Sequence, residues 1–190
     1  MLEHIPAAVG HALAGVRSGL GKSMAKQHFA GAPEAIAVTS PAFGRDAPIP
    51  SQHTADGAGL SPPIAWQGVP AGTLSAVLVV EDADSPTPEP LVHAMVLDLP
   101  GRDGAIAAGA LKSPAGAGAP HRLGQNSFLR AEYLPPDPPS GHGPHRYAFQ
   151  VFALDGPVTL AAGAGRGEVV AALKGHVIAK GVLIGTYERA

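Results

Sequence analysis

Leu91-Val92-His93-Ala94-Met95-Val96-Leu97, residues 91 to 97, is an apolar run with one histidine inside it. Its length and its Val and Leu content read as a strand, and alternation along a strand puts His93 on the face of Leu91, Met95 and Leu97. Working outward, Ile36 to Thr39, Leu74 to Val80, Arg146 to Leu154 and Val182 to Tyr187 have the same character and are separated by turn residues. One helix interrupts them, because Val169, Val170, Leu173, Val177 and Ile178 share a helical face between Gly167 and Gly181. Strands dominate without any strand–helix alternation. The fold class is therefore mainly β, a sandwich or Greek-key sheet with a few peripheral helices.

Composition sets the outer limits. The chain has 190 residues, which suits one domain with a substantial core. It contains no cysteine, so disulfides, thiolate metal sites and cysteine nucleophiles are excluded, and a reducing, cytoplasmic setting is expected. With 13 Lys and Arg against 15 Asp and Glu, the net charge is −2 and no run of one sign invites nucleic acid or an anionic membrane. Glycine (25) and proline (20) are abundant, but the apolar content of 45% supports a folded chain with long, shaped loops. No apolar stretch has the length of a membrane span, so stable membrane insertion is not expected.

Residues 1–34 form a separate arm in this reading, with the main domain over residues 35–190. Ile5, Ala8, Val9, Ala12, Leu13, Val16 and Leu20 recur at intervals of three and four, which predicts an amphipathic helix over residues 5 to 20. Its polar face has few cations, so docking on the body or on a sister subunit, as in a homodimer, is expected rather than membrane binding. Gly19-Leu20-Gly21-Lys22-Ser23 resembles the end of a phosphate-binding loop, yet Val16 stands where that motif needs glycine and no strand precedes it.

The chemistry-bearing residues fall at strand ends. Val79-Val80-Glu81-Asp82-Ala83-Asp84-Ser85-Pro86 ends a strand in two acidic residues, and extended spacing would turn both carboxylates to one side. Such a carboxylate either caps a loop or builds a site. His93 is either a satisfied core imidazole or a site residue, and His145, opening the strand His145-Arg146-Tyr147-Ala148-Phe149-Gln150-Val151, is a second instance of the same choice. A pocket formed by Asp82, His93 and His145 would be weakly cationic, pH-sensitive and suited to an anion. His142 and His145 lie three apart, but alternation through Gly143-Pro144 turns them to opposite sides, so no metal is expected.

Several segments, in order over residues 36 to 188, resemble the phosphatidylethanolamine-binding protein family in its bacterial, Raf kinase inhibitor-like branch. They are Leu60-Ser61-Pro62-Pro63-Ile64-Ala65-Trp66, Val69-Pro70-Ala71-Gly72-Thr73, Glu81-Asp82-Ala83-Asp84-Ser85-Pro86, Leu91-Val92-His93, Gly141-His142-Gly143-Pro144-His145-Arg146-Tyr147, Gly175-His176-Val177-Ile178-Ala179 and Gly185-Thr186-Tyr187-Glu188. The resemblance implies an antiparallel two-sheet sandwich and a pocket for phosphate-like groups. It places Asp82, His93, His145 and Tyr147 at pocket positions and Asp84 and Pro86 in a supporting acidic loop. It also gives Arg146 a structural role on the opposite face of its strand. Leu129, Glu132 and Leu134 stand where relatives often carry glycine. Asp137 stands where a small residue is usual, and an anion receptor would turn that carboxylate outward.

These features lead to the expectation of a non-catalytic binding protein for a small anionic or phosphorylated ligand that could pass its bound state to a protein partner, with no cofactor. The other functions weighed are acid–base catalysis by Asp82 and the two histidines, and inhibition of a kinase or protease.

Overall fold

The computed structural model describes residues 7–111, 121–156, 158–161 and 163–189. The strands are β1 (Ala37–Thr39), β2 (Ala47–Pro48), β3 (Ile64–Gln67), β4 (Ser75–Asp82), β5 (Leu91–Pro100), β6 (Gly104–Ile106), β7 (His145–Leu154) and β8 (Val177–Tyr187), the long ones forming where the sequence concentrates Val, Leu, Ile and aromatic residues. They make two sheets, one of three strands in the order β1-β3-β6 and one of five in the order β2-β8-β7-β4-β5. Pairing is antiparallel except between β2 and β8. The result is the expected mainly β, two-sheet sandwich with few helices.

The large sheet is apolar on both faces, and each face has its own core. Val80, Ala94, Val96, Phe149 and Leu183 meet Val38, Ile64, Trp66 and Ile106 of the small sheet. The opposite face carries Val77, Val79, Met95, Leu97 and Phe152, covered by Met24, Ala25, Phe29 and the helix residues Val169, Val170 and Leu173. Burial on both faces explains why the strands read as near-continuous apolar runs.

The helices are shorter than the periodicity predicts. The arm is not one helix over residues 5 to 20; Ile5 lies outside the described residues, and the rest divides into α1 (Ala7–Leu13) and α2 (Met24–Gln27), with a single 3₁₀ turn at Leu20–Lys22. Between them the chain runs extended because its backbone finds partners on the body: Ser18 N–H donates to Ser85 O at 3.0 Å and Gly19 N–H to Ala83 O at 2.6 Å. The predicted apolar stripe does not dock fully on the body, since Val9 in α1 and Val16 beyond it remain 43% and 50% exposed. The arm is instead anchored by its second half, where Met24, Ala25 and Phe29 pack in the second core and buried polar groups bond the backbone. Glu81 accepts Met24 N–H, Gln150 accepts Ala25 N–H, both at 2.7 Å, and the Lys180 ammonium donates to the carbonyls of Phe29 and Ala30.

The predicted helix reaching Ile178 also ends early. Helix α3 spans Arg166–Leu173, and Val177 and Ile178 already belong to β8. Gly175, at φ 84°, makes the reversal that a helix could not continue through. A run of Val and Ile after such a turn extends as readily as it coils.

Candidate functional site

β4 lies between β5 and β7, so its last residue meets both neighbours: Asp82 stands opposite Leu91 on one side and Tyr147 on the other. His145 opens β7 two residues before Tyr147 and so shares its face. His93 reaches this face by an irregularity. Val80 pairs with Ala94 and Glu81 with Val92, which leaves His93 as an extra residue on β5. The bulge breaks the alternation, so His93 does not share the face of Met95 and Leu97, which pack in the opposite core. Its ring meets Tyr147 edge-on, with centroids 5.2 Å apart and planes at 88°.

These groups close one end of a cavity of about 190 Å³. Asp82, His93 and His145 line it, together with Pro86 and Leu91; Phe128, Leu134, Asp137 and prolines of the 126–139 segment form the far wall. That segment is stitched to β5. Leu134 N–H donates to His93 O at 2.8 Å, Ser127 N–H to Val92 O at 3.0 Å, and Val92 N–H to Ser127 Oγ at 2.8 Å.

The hydrogen bonds fix what each group can offer. His93 Nδ1 lies 2.6 Å from Leu134 O, and a carbonyl only accepts, so Nδ1 carries the proton. Burial lowers the His93 pKa, opposed by the Asp82 carboxylate. Burial thus favours the neutral ring, in which Nε2, buried without a partner among the described residues, is an acceptor. His145 has both nitrogens engaged, Nδ1 with Asp82 Oδ2 at 2.8 Å and Nε2 with His142 Nδ1 at 2.7 Å. The geometry does not favour the expected pair of cationic imidazole donors: His145 has no spare N–H, and the neutral His93 that burial favours presents a lone pair.

His142 was expected to point away from His145, and it does not. Gly141 and Gly143 take φ of 78° and 86°, so the loop curls instead of alternating, and His142 folds beneath His145. Burial lowers the His142 pKa, as do its neighbours His145 and Arg17, against the pull of the Leu13 and Val16 carbonyls. Among the described residues no group of three His, Asp or Glu side chains is arranged to hold a metal ion.

Four other sequence-selected residues are placed as follows. Tyr147 lies beneath the cavity against His93 and His145 rather than on its lining; its hydroxyl is buried without a partner among the described residues, and burial raises its pKa. Asp84 is fully buried and does not share the side of Asp82. Its carboxylate accepts Arg146 N–H at 2.9 Å and the Arg146 guanidinium twice at 2.7 Å, because β4 has ended and the chain turns. Burial alone would raise the Asp84 pKa, but the Arg146 hydrogen bonds and the Arg17 charge bring it below the ordinary value. Pro86 lines the cavity. Asp137 also lines it rather than turning outward, paired with Arg189 at 2.5 Å.

Two contributors escaped the sequence reading. Asn126 shapes the far wall by accepting Phe128 and Arg130 N–H and donating to Glu132 O. Arg17 reaches from the arm to donate to the carbonyls of His142 and Pro144, both at 2.7 Å, and lies 3.4 Å from Asp84. An asparagine just before a loop is a recognisable signal, whereas nothing near Arg17 in sequence points to residues 142–144.

Residues 39–188 match the family model described as phosphatidylethanolamine-binding protein. A UPF0098 protein of Aquifex aeolicus is 39% identical over 153 residues, covering 80% of this chain and 88% of the relative. A UPF0098 protein of Mycobacterium tuberculosis strain H37Rv is 34% identical over 177 residues, covering 93% and 80% respectively. Among solved structures, the phosphatidylethanolamine-binding protein homolog CT736 of Chlamydia trachomatis superposes with a TM-score of 0.73 at 34% identity, over 83% of this chain and 99% of that one. Escherichia coli YbcL gives 0.74 at 26% identity, over 82% and 99%.

Proposed function

The chain belongs to the phosphatidylethanolamine-binding protein family, and from that premise we propose that it is a non-catalytic receptor for a small phosphorylated or otherwise anionic ligand held in the Asp82–His93 cavity. The observation that carries this reading is a buried atom at one end of the cavity, His93 Nε2, which like Tyr147 Oη beneath the cavity has no partner among the described residues. Buried polar groups are nearly always hydrogen-bonded, so the natural partner of His93 Nε2 is a ligand or an ordered water at that end. Apolar and proline side chains surround the rest of the cavity and suit the organic part of such a ligand.

His145 is a positioning group in this reading. Bonded at both nitrogens, it holds the Asp82 carboxylate and has no N–H left for acid–base work on a substrate. No helix among the described residues is long and apolar enough to cross a membrane. We place the receptor in the cytoplasm on the sequence reading, where ligand occupancy could be passed to a protein partner.

Calorimetric titration with phenyl phosphate tests the function. The native chain should give a saturable isotherm, and His93→Ala should weaken it by about tenfold or more, as expected for losing a buried hydrogen bond to a charged group. Equal affinity in the two proteins, with both folded, would overturn the assignment of this cavity.

A further inference from the structure

We infer that the cavity selects oxyacids carrying an acidic O–H, such as the singly protonated form of a phosphomonoester or phosphonate, over oxyanions that have no proton to donate. The inference rests on the phosphate-receptor reading above and adds which chemical form of the ligand is bound.

Its basis is a count of donors and acceptors. The two hydrogen bonds between His93 and Leu134 run in both directions, Leu134 N–H to His93 O and His93 Nδ1–H to Leu134 O, and they lock the imidazole tautomer. In the neutral ring that burial favours, the nitrogen left over is a lone pair. Beside it, Asp82 is also an acceptor, with Oδ1 receiving Asp84 N–H and Oδ2 receiving His145 Nδ1–H. His145 cannot compensate, because its second nitrogen is bonded to His142. Asp137, on the far wall, adds a further carboxylate whose charge is matched by Arg189. The charged and titratable groups facing His93 are thus Asp82, His145, Tyr147 and Asp137; Arg130 and Glu132 also line the cavity and are paired with each other at 2.7 Å, and the unpartnered Tyr147 hydroxyl lies beneath the lining.

An oxyanion without a proton would place a lone pair against the His93 lone pair, with Asp82 adding repulsion. A P–O–H group turns the same contact into a hydrogen bond. The ligand keeps its proton and donates it to Nε2. No bond is broken and no net proton is transferred to the protein. Phosphodiesters and sulfate, which carry no such proton near neutral pH, are disfavoured; a phosphomonoester, with a second pKa of about 6, is accepted in its monoanionic form.

The test uses the full chain with phenyl phosphate, dimethyl phosphate and sodium sulfate at pH 6, and with phenyl phosphate from pH 5.5 to 8. Phenyl phosphate should bind at least about tenfold tighter than the other two, the scale of one hydrogen bond to a charged group. Its affinity should fall by nearly tenfold per pH unit once the pH exceeds about 6. Nitrogen NMR of ¹⁵N-histidine-labelled protein should find His93 Nε2 unprotonated both free and in the complex. His93→Gln, whose amide can present N–H to the cavity, should narrow the preference over sulfate. Equal binding of all three compounds with a flat pH profile, or a doubly protonated His93 in the complex, would overturn the selection while leaving an anion receptor intact. Failure of all three to bind would remove the receptor reading itself, and the selection with it.

Discussion

Replacing Arg17 with methionine keeps the aliphatic stem and removes the guanidinium that ties the N-terminal arm to the loop carrying His142. Two bonds to carbonyls, on His142 and Pro144, are lost outright. The contact with Asp84 at 3.4 Å adds little, because Arg146 already satisfies that carboxylate. A hydrogen bond from a charged donor contributes about 1.5–3 kcal/mol, and the 26% exposure of the Arg17 side chain favours the lower figure, so the loss should be about 3 kcal/mol. In a domain of this size each kcal/mol moves the melting temperature by about 2–4 °C, which gives a decrease of about 6–12 °C. Scanning calorimetry measures it, with Lys22→Met as the control. Lys22 also bonds a carbonyl, that of Pro88, but in an exposed position, and its loss should stay within about 0.5 kcal/mol. A melting temperature for Arg17→Met equal to the control would refute the claim that the arm holds the loop.

Arg146→Met leaves the buried Asp84 with only the residue-146 N–H and the Arg17 guanidinium 3.4 Å away; urea unfolding at pH 7 should register a loss of about 3 kcal/mol, recovered in part by Asp84→Asn in the same chain. Because Asp84 has a lowered pKa, its contribution in the native protein is complete above the ordinary carboxylate value and lost as pH falls below about 4. His93 and His142 are also lowered, so the unfolded chain takes up more protons as pH falls below about 6.5. Stability should therefore decline from there toward acid, and His93→Gln should make that decline shallower in urea midpoints compared at pH 7.5 and 5.5. Leu129 has φ 60° and is 77% exposed. Leu129→Gly should raise stability by about 0.5 kcal/mol, the relief of left-handed strain offset by the extra freedom of unfolded glycine. Asp137→Gly leaves Arg189 bonded to Asp56 and shifts the potential of the cavity toward positive, so phenyl phosphate should bind equally or more tightly by calorimetry.

The sheet was legible because both its faces are buried: Leu74 to Val80, Leu91 to Asp98 and Arg146 to Leu154 are apolar runs with no competing helical period. The strands Ala47–Pro48 and Gly104–Ile106 are two and three residues long and carry no alternation to read. At Val177 the sequence fits helix and strand alike, and the turn at Gly175 decides between them. The residues around the cavity were legible as types, but their geometry was not. Alternation placed His93 on the wrong face because a bulge is invisible in a Val-His-Ala sequence. It separated His142 from His145 because two left-handed glycines undo the extended spacing. The hydrogen-bond polarity of His93 depends on Leu134, 41 residues away, which no local pattern reports.

The measurement that bears most directly on the receptor assignment is an amide and side-chain NMR titration of the full chain with phenyl phosphate at pH 6. Binding in the Asp82–His93 cavity predicts saturable shifts concentrated at Asp82, His93, Leu134 and Tyr147, with the α3 region unaffected. Saturable shifts centred elsewhere, or none at millimolar ligand, would contradict it.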